Sequence, residues 1–182
     1  MPKWIALFRA VNVGGKNKMS MTRLQAVFTS VGCTNVRTYI QSGNVVFSSA
    51  NKNKTPLTRK LLEATEGEFG FRPQVLLLTE AQFREALTNN PFDAHGKDPK
   101  TLHFYFLEES PSQPDLAGLA KLATKTEQFQ LAGDVFYLHA PDGIGRSKLA
   151  AAAEKRLGVP ATARNYNTID ALRAMLEDET TT

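Results

Sequence analysis

The sequence predicts an α+β fold built from two ferredoxin-like β-α-β-β-α subdomains, a pseudo-duplication with mainly antiparallel sheets. Segments with the apolar pattern of strands and segments with the apolar spacing of helices follow one another, and their order occurs twice along the 182 residues. A glycine turn also recurs, at Gly43 and Gly133, which are 90 positions apart. Because 42% of the residues are apolar, the chain can bury an ordinary core. We therefore predict a basic N-terminal subdomain over 1–78 and an acidic C-terminal subdomain with a terminal helix over 79–182.

The first subdomain opens with an apolar run, followed by a capped helix and a strand pair. Ser20 is a suitable helix N-cap, and Gly32 stands where helices end. The strand pair is joined by a tight Ser42-Gly43 turn or by a longer turn through 41–44. Thr55-Pro56 opens the next helix, because Thr can cap and Pro fits the first helical turn. The predicted elements are a strand over 3–11, a helix over 21–31, strands over 36–41 and 44–49, a helix from 55 to 69 and a strand over 71–78.

The second half repeats this order. Aligning residues 39–45 with residues 129–135 places Gly43 on Gly133, and the same offset aligns the helices that follow. The predicted elements are a helix over 80–89, a strand over 101–107, a helix beginning near 115, a hairpin over 129–135, a helix over 147–157 and a last helix over 169–176. A duplicated unit explains this agreement better than a chance turn.

Charge is distributed unevenly along the chain. Residues 1–62 contain no Asp or Glu, whereas ten Lys and Arg residues give this stretch a charge of +10. The other 12 bases face all 18 acids, so residues 63–182 carry 12 − 18 = −6. One explanation is a partner of negative charge. The other is that the acidic part of the chain folds against the basic part and neutralises it.

The loop over 11–18 is the first candidate binding segment. Its adjacent Gly14 and Gly15 allow the backbone to turn N–H groups inward, and Lys16 adds charge beside them, which suits a phosphate or carboxylate. In a ferredoxin-like sheet the first and third strands are central neighbours, so this loop must share a sheet end with the turn over 41–44. The alternative is a mobile basic loop whose glycines serve tight turning alone.

Arg9 and the turn over 41–44 supply further candidates at that end. Arg9 ends an apolar strand with no carboxylate near it in the sequence, so its partner is a carbonyl, water, a carboxylate of the later half or a bound anion. The turn offers amide and hydroxyl groups for a ligand, or it serves backbone geometry alone.

Two helix starts near the C-terminus complete the set. The segments 143–148 and 162–168 combine glycine or asparagine with basic residues, which suits an anion at a helix N-terminus. Plain capping explains the Ser and Asn residues better than a ligand does, with Asn167 and Asp170 resembling a capping box, but it does not explain Lys148 or Arg164. The predicted ligand-binding residues are Arg9, Asn12, Gly14, Gly15, Lys16, Asn17, Gln41, Ser42, Asn44, Lys148, Arg164, Asn165 and Thr168.

Other chemistries have little support in the sequence. Cys33 is expected to be a buried hydrophobe, and a single cysteine is consistent with a reducing cytoplasm. The three histidines, His95, His103 and His139, lack metal-ligand spacing, so we predict no metal site. No motif nominates a catalytic residue or a cofactor. No apolar run approaches the roughly 20 residues that cross a bilayer, so we expect no membrane partner.

Three blocks of the sequence resemble a known family. The segments 4–19, 38–47 and 161–168 are similar to those of a bacterial family of uncharacterised α+β proteins, domain-of-unknown-function family 1697. The resemblance covers essentially the whole chain. It implies a cytoplasmic protein of two related subdomains, and it carries no catalytic assignment.

Three functions remain open. The first is a protein that binds an anionic ligand, either a phosphorylated metabolite, a nucleotide or a nucleic acid, through a basic N-terminal face. In the nucleic-acid version Trp4, Phe8 and Phe47 could stack bases, although these aromatic residues are better explained as core. The second is an enzyme acting on a small anionic metabolite in a cleft between the two subdomains. The third is an interaction module that docks an acidic protein.

Overall fold

The computed structural model describes residues 1–92 and 96–178 of the chain. The chain divides into two compact units, Met1–Glu85 with Ala171–Thr182, and Ala86–Asp170. This division falls after Glu85 rather than after residue 78, and it assigns the C-terminal part of the last helix to the first unit. Each unit has its own four-stranded sheet and its own apolar core.

The first unit has the predicted order of strands and helices. Its elements are β1 (Lys3–Arg9), α1 (Met21–Ser30), β2 (Thr34–Tyr39), β3 (Asn44–Ser48), α2 (Lys54–Phe69), β4 (Gln74–Thr79) and α3 (Glu80–Thr88), which begins here. The strands lie in the antiparallel order β2-β3-β1-β4, so β1 and β3 are central neighbours as predicted. The predicted ends of α1 are also confirmed: Ser20 accepts the Arg23 N–H, and Gly32 follows the helix with φ 89°.

The start of α2 differs from the prediction. The N-cap position is Asn53 rather than Thr55, because the helix already begins at Lys54 and places Thr55 inside its first turn. Pro56 also lies in that turn, where its missing N–H has no intrahelical partner to lose. The helix ends at Gly70, whose φ of 75° is the left-handed conformation that glycine adopts without strain.

One face of the first sheet packs against α1 and α2. Trp4, Phe8, Phe28 and Phe47 are each at most 1% exposed in this core. The Phe28 and Phe47 rings meet edge to face with centroids 4.9 Å apart, an arrangement worth about 0.5–1.5 kcal/mol beyond area burial. The interpretation of Trp4, Phe8 and Phe47 as core residues is confirmed, and their rings offer no open platform for bases.

The second unit repeats the topology of the first. Its elements are β5 (Leu102–Leu107), α4 (Leu116–Leu122), β6 (Gln128–Ala132), β7 (Val135–His139), a 3₁₀ turn (Ile144–Arg146), α5 (Lys148–Leu157), β8 (Ala161–Asn165) and α6 (Tyr166–Glu177). The antiparallel strand order β6-β7-β5-β8 is that of the first sheet with every number raised by four. The two sheets therefore support the predicted pseudo-duplication.

The sequence prediction missed β8 and shortened α6. Residues 161–165 form the fourth strand, whereas the predicted second subdomain ended without one. The strand has only five residues and its apolar positions are alanines, which are poor strand formers, so the stretch was interpreted as a helix start. The helix itself extends over 166–177 rather than 169–176.

The second core is also built from aromatic contacts across neighbouring strands. Phe104 on β5 meets Tyr137 on β7 with ring centroids 4.8 Å apart, and the Tyr137 hydroxyl donates to the Ala86 carbonyl at 2.7 Å. On the other face of the sheet, Tyr105 and Phe136 pack edge to face at 5.6 Å beneath α4 and α5. Both faces of this sheet are therefore lined by buried rings.

The two hairpins differ although they align in sequence. In the first unit a four-residue turn over 40–43 joins Tyr39 to Asn44, so the tight Ser42-Gly43 turn is wrong and the longer turn is the better description. In the second unit only Gly133 and Asp134 separate Ala132 from Val135. Both glycines have positive φ, but their surroundings are unlike. A Cβ at Gly43 would lie 2.5 Å from Phe8 Cβ, whereas nothing lies within 4 Å of one at Gly133.

Substituting Gly43 by Ala should therefore destabilise the protein far more than the same change at the duplicated position. In Gly43→Ala the added methyl group would clash with the Phe8 and Val11 side chains, and alanine would have to adopt a left-handed φ of 72°. We expect a loss of about 2–4 kcal/mol in unfolding free energy. Gly133→Ala has only the conformational penalty, about 1 kcal/mol. Urea unfolding of both variants measures the difference, and equal losses would contradict the packing assigned to Gly43.

Candidate functional site

Asn12 joins the loop after β1 to the first hairpin. Its side-chain amide donates to the carbonyls of Gln41 at 2.7 Å and Met19 at 2.9 Å, and its Oδ1 accepts the Met19 N–H at 2.8 Å. The Phe8 N–H also donates to the Gly43 carbonyl at 2.9 Å. The loop and the turn thus lie at one end of the sheet, as predicted. We call this end, made by residues 9–18 and 40–44, the loop edge.

The backbone of the loop is fixed by its own hydrogen bonds. Asn12 N–H donates to the Asn17 carbonyl at 3.1 Å, and the Asn17 side chain donates back to the Ala10 carbonyl at 3.1 Å. At the tip the Lys16 N–H donates to the Val13 carbonyl at 3.1 Å. Five positions adopt positive φ, namely Ala10, Asn12, Gly14, Gly15 and Asn17. Asparagine and glycine tolerate this conformation best, so their placement specifies the path of the loop.

The fixed loop presents a small set of groups to solvent. Gly14 and Gly15 are exposed, and within residues 1–92 and 96–178 their N–H groups donate to no backbone carbonyl. Lys16 and Lys18 are also exposed, and their side chains form no ion pair with any described residue. The loop therefore combines two positive charges with two exposed amides that have no backbone acceptor among the described residues, a combination suited to small anions.

Two exposed aliphatic side chains stand beside these groups. Val13 at the loop tip is 66% exposed, and Ile40 in the adjacent turn is 54% exposed. Ile40 also has φ 47°, which is unusual for a β-branched residue and marks local strain in the turn. A ligand that meets this edge would contact apolar as well as charged atoms.

Several predicted ligand-binding side chains serve as supports for this edge. Asn44 is fully buried, and its amide donates to the Tyr39 carbonyl at 3.2 Å and to Ser42 Oγ at 2.8 Å. The amides of Asn12 and Asn17 bond to loop carbonyls, as described above. Gln41 is exposed and accepts the Asn12 bond through its backbone. The structure thus brings the predicted residues of the first unit together, with the asparagines holding the backbone.

Arg9 completes the group as the half-buried last residue of β1. It lies opposite Gln74 in the register with β4. This position is at the loop edge, as the sequence predicted.

Several basic side chains of the N-terminal segment form hydrogen bonds or ion pairs within the first unit, away from the loop edge. Lys3 donates to the Leu176 carbonyl at 2.8 Å, and Arg37 donates to the Met175 carbonyl. These carbonyls end α6, where the helix dipole is negative. Arg37 also meets Asp178 at 3.9 Å, and Arg23 pairs with Glu68 at 2.6 Å. The charge asymmetry is therefore partly neutralised within the fold, and the basic surface at the loop edge is smaller than the sequence suggested.

The four remaining predicted residues belong to the second unit. Lys148 is the exposed first residue of α5, whose N-cap Ser147 accepts the Ala150 N–H at 2.9 Å. Arg164 on β8 donates to the Ala163 carbonyl at 2.9 Å, and burial lowers the pKa of its guanidinium to about 10. The group therefore stays charged at neutral pH despite its burial.

The start of α6 is capped differently from the prediction. Asn165 Oδ1 accepts both the N–H of Thr168 at 3.1 Å and its hydroxyl at 3.2 Å, so Asn165 rather than Asn167 is the cap. The helix begins at Tyr166, which places Asn167 inside its first turn. Asn165 and Thr168 thus have a structural explanation that needs no ligand.

The cysteine and the two described histidines are buried, which disfavours their charged forms. Cys33 is 2% exposed, and burial raises the pKa of its thiol to about 11, so it remains protonated as expected of a buried hydrophobe. Burial lowers the pKa values of His103 and His139, whereas His95 lies outside the described residues. No group of three His, Cys, Asp or Glu among the described residues could hold a metal ion. The helices of the described segments include none long and apolar enough to cross a membrane.

A shallow cleft in the second unit was not predicted from the sequence. It has a volume of about 640 Å³ and is lined by Gln113, Asp115, Ala152, Lys155, Arg156 and Gly158. Asp115 caps α4 by accepting the Gly118 N–H at 2.8 Å and bonds to Arg156, and these hydrogen bonds lower the pKa of its carboxyl. The Asp115 carboxylate is therefore already paired within the fold, and the remaining polar side chains of the cleft lining are those of Gln113 and Lys155.

Removing the Asn12 side chain should loosen the loop edge. Asn12→Gly keeps the positive φ accessible but deletes three hydrogen bonds, so we expect a loss of about 2 kcal/mol in unfolding free energy and faster hydrogen exchange at the Met19 amide. Asn17→Gly is the matched control, since it also replaces a positive-φ asparagine but deletes one side-chain bond. Equal effects of the two variants would show that Asn12 does not organise this edge.

Comparison with known proteins agrees with this description of the fold. Residues 1–137 match the family described as "Protein of unknown function (DUF1697)". The conserved bacterial protein SP0830 from Streptococcus pneumoniae has a similar structure, with 28% sequence identity, a TM-score of 0.71, and coverage of 96% of this chain and 98% of that chain. No curated protein matches the sequence significantly. Since the family match spans most of the sequence, the chain belongs to the DUF1697 family of proteins of unknown function.

Proposed function

We propose that this protein binds a phosphate- or carboxylate-bearing ligand at the loop edge of its first unit. The observation that carries the proposal is a loop fixed in place by Asn12, with Lys16 and Lys18 exposed and without ion pairs among the described residues. A loop that is already ordered loses little conformational entropy when a ligand binds. The amides of Gly14 and Gly15 supply directional donors beside the two charges.

The same geometry favours a small anion or a nucleotide over a nucleic acid read by stacking. The aromatic residues of the central strands are buried in the core, so single-stranded bases have no sheet platform to stack on. The exposed Val13 and Ile40 side chains provide an apolar surface next to the charges. We place this binding activity in the cytoplasm, where the buried Cys33 thiol would remain reduced.

Binding can be tested by thermal stabilisation with three probes: inorganic phosphate, ATP and an oligothymidylate. A ligand at one hundred times its dissociation constant stabilises the folded state by about 2.7 kcal/mol. The double variant Lys16→Gln/Lys18→Gln should bind the active probe about tenfold more weakly, because it loses charge-assisted contacts. Lys52→Gln/Lys54→Gln is the matched control, since these lysines follow the far end of β3 and leave the loop edge intact.

The outcomes separate the ligand classes. If ATP or phosphate stabilises the protein and only the Lys16/Lys18 variant loses the effect, the proposal holds for a small anion. If the oligothymidylate binds, two lost phosphate contacts should reduce the slope of log affinity against log salt by about 1.4. Silence with all three probes, or equal losses in the two double variants, would remove the loop edge as the binding surface.

A further inference from the structure

The tip of the loop, residues 13–16, is a tight reverse turn. The Lys16 N–H donates to the Val13 carbonyl at 3.1 Å, and the two residues form an antiparallel bridge around Gly14 and Gly15. These glycines have φ values of 58° and 76°, the sign that a type I′ turn requires at both central positions. Residues directly opposite in an antiparallel pair place their side chains on the same face, with Cβ atoms about 4.5–5.5 Å apart. The exposed Val13 side chain therefore lies beside that of Lys16.

Exposed apolar side chains are concentrated at the loop edge. Within residues 1–92 and 96–178, the exposed large apolar side chains are those of Met1, Val13, Ile40 and Leu116. Two of these, Val13 and Ile40, belong to the loop edge. The φ of 47° at Ile40 is one that β-branched residues rarely adopt, and backbone strain of this kind clusters at ligand-binding sites. The turn therefore holds an aliphatic side chain in solvent where asparagine or glycine would be less strained.

Gln41 supplies a free polar side chain next to Ile40. The residue is exposed, and its backbone carbonyl accepts the Asn12 side chain at 2.7 Å. Its own side-chain amide forms no hydrogen bond with any residue that the structure describes. In contrast, the amides of Asn12 and Asn44 are occupied by carbonyls of the loop and the turn. A carboxamide offers a donor and an acceptor side by side, which is the pattern that pairs with the edge of a nucleobase.

The charged and apolar parts of the loop edge are close enough for one small ligand. The Asn12 side chain is bonded to Gln41, and Gly14 follows Asn12 by two residues. Since consecutive Cα atoms are about 3.8 Å apart, the Gly14 Cα lies at most about 8 Å from that of Asn12. The sugar and phosphate of a single nucleotide can span this separation.

We propose that the ligand of the loop edge is a nucleotide. Its phosphate is held by the amides and lysine of the loop tip, its base packs against Val13 and Ile40, and the base edge bonds to the Gln41 amide. This inference rests on the proposed function, because it names the ligand class of the same site.

Other anions would use only part of this surface. An inorganic anion would leave both aliphatic side chains in water. A lipid or acyl chain would cover them, but it would also cover the Gln41 amide without offering it a partner, which is unfavourable. A nucleotide satisfies the charged, apolar and amide groups together.

Isothermal titration calorimetry with five probes tests this ligand class in buffer free of divalent metal. The probes are the four ribonucleoside triphosphates and inorganic tripolyphosphate, which has the same phosphate chain and at least as much negative charge but no base. Charge alone would therefore favour tripolyphosphate. We expect at least one nucleotide to bind about tenfold more tightly than tripolyphosphate, because base packing removes apolar surface from water.

Two variants locate the base. Ile40→Asn should weaken binding of the preferred nucleotide about fivefold and change tripolyphosphate binding by less than about twofold, since asparagine tolerates positive φ and keeps the turn. Gln41→Met should have the same selective effect, because it removes the amide but keeps the backbone carbonyl that Asn12 contacts. Leu116→Asn is the matched control, since it replaces an exposed aliphatic side chain of the second unit and should change neither affinity.

The results distinguish this inference from the proposed function beneath it. Tripolyphosphate binding as tightly as every nucleotide would overturn the nucleotide inference and leave the anion site standing. Nucleotide affinities that Ile40→Asn and Gln41→Met leave unchanged, or a parallel loss of tripolyphosphate binding in both variants, would also overturn it. Failure of all five probes to bind would remove the anion site and the nucleotide with it.

Discussion

The hydrogen bonds of Asn12 are the constraint on which the proposed binding edge depends. They fasten a glycine loop to a neighbouring turn, so that two separate segments of the chain become one ordered surface. Without them the exposed lysines and amides would occupy many positions, and anion binding would have to supply the ordering entropy. The asparagine therefore acts through the backbone, and the charged groups beside it are the proposed binding groups.

The two units show how one topology can be adapted in different ways. Both sheets have the same antiparallel order, and both hairpins turn at an aligned glycine. In the first unit Gly43 packs against Phe8, and its longer turn reaches the loop after β1. In the second unit Gly133 has open space around it, and the turn is short. The first unit thus has an organised loop, whereas the second has a plain hairpin with a regular outer strand.

The sequence predicted the order of elements well because strand and helix periods and caps such as Ser20 are local signals. β8 was missed because its only apolar residues are two alanines, which give a weak strand signal, and the strand is defined by pairing with β5. The charge asymmetry was visible in the sequence, but the partners of the basic side chains were not. Lys3 and Arg37 donate to carbonyls more than a hundred residues away. The structural role of Asn12 was hidden for the same reason, because its partner Gln41 is 29 residues distant.

The most direct test of the account is a two-dimensional amide NMR titration with inorganic phosphate. In the wild-type protein the N–H groups of Gly14, Gly15 and Lys16 should show saturable shifts. In Asn12→Gly the same shifts should require a much higher phosphate concentration, because the loop must first be ordered. Shifts that are absent from the loop edge, or that are unchanged in Asn12→Gly, would contradict the claim that this fixed loop is an anion site.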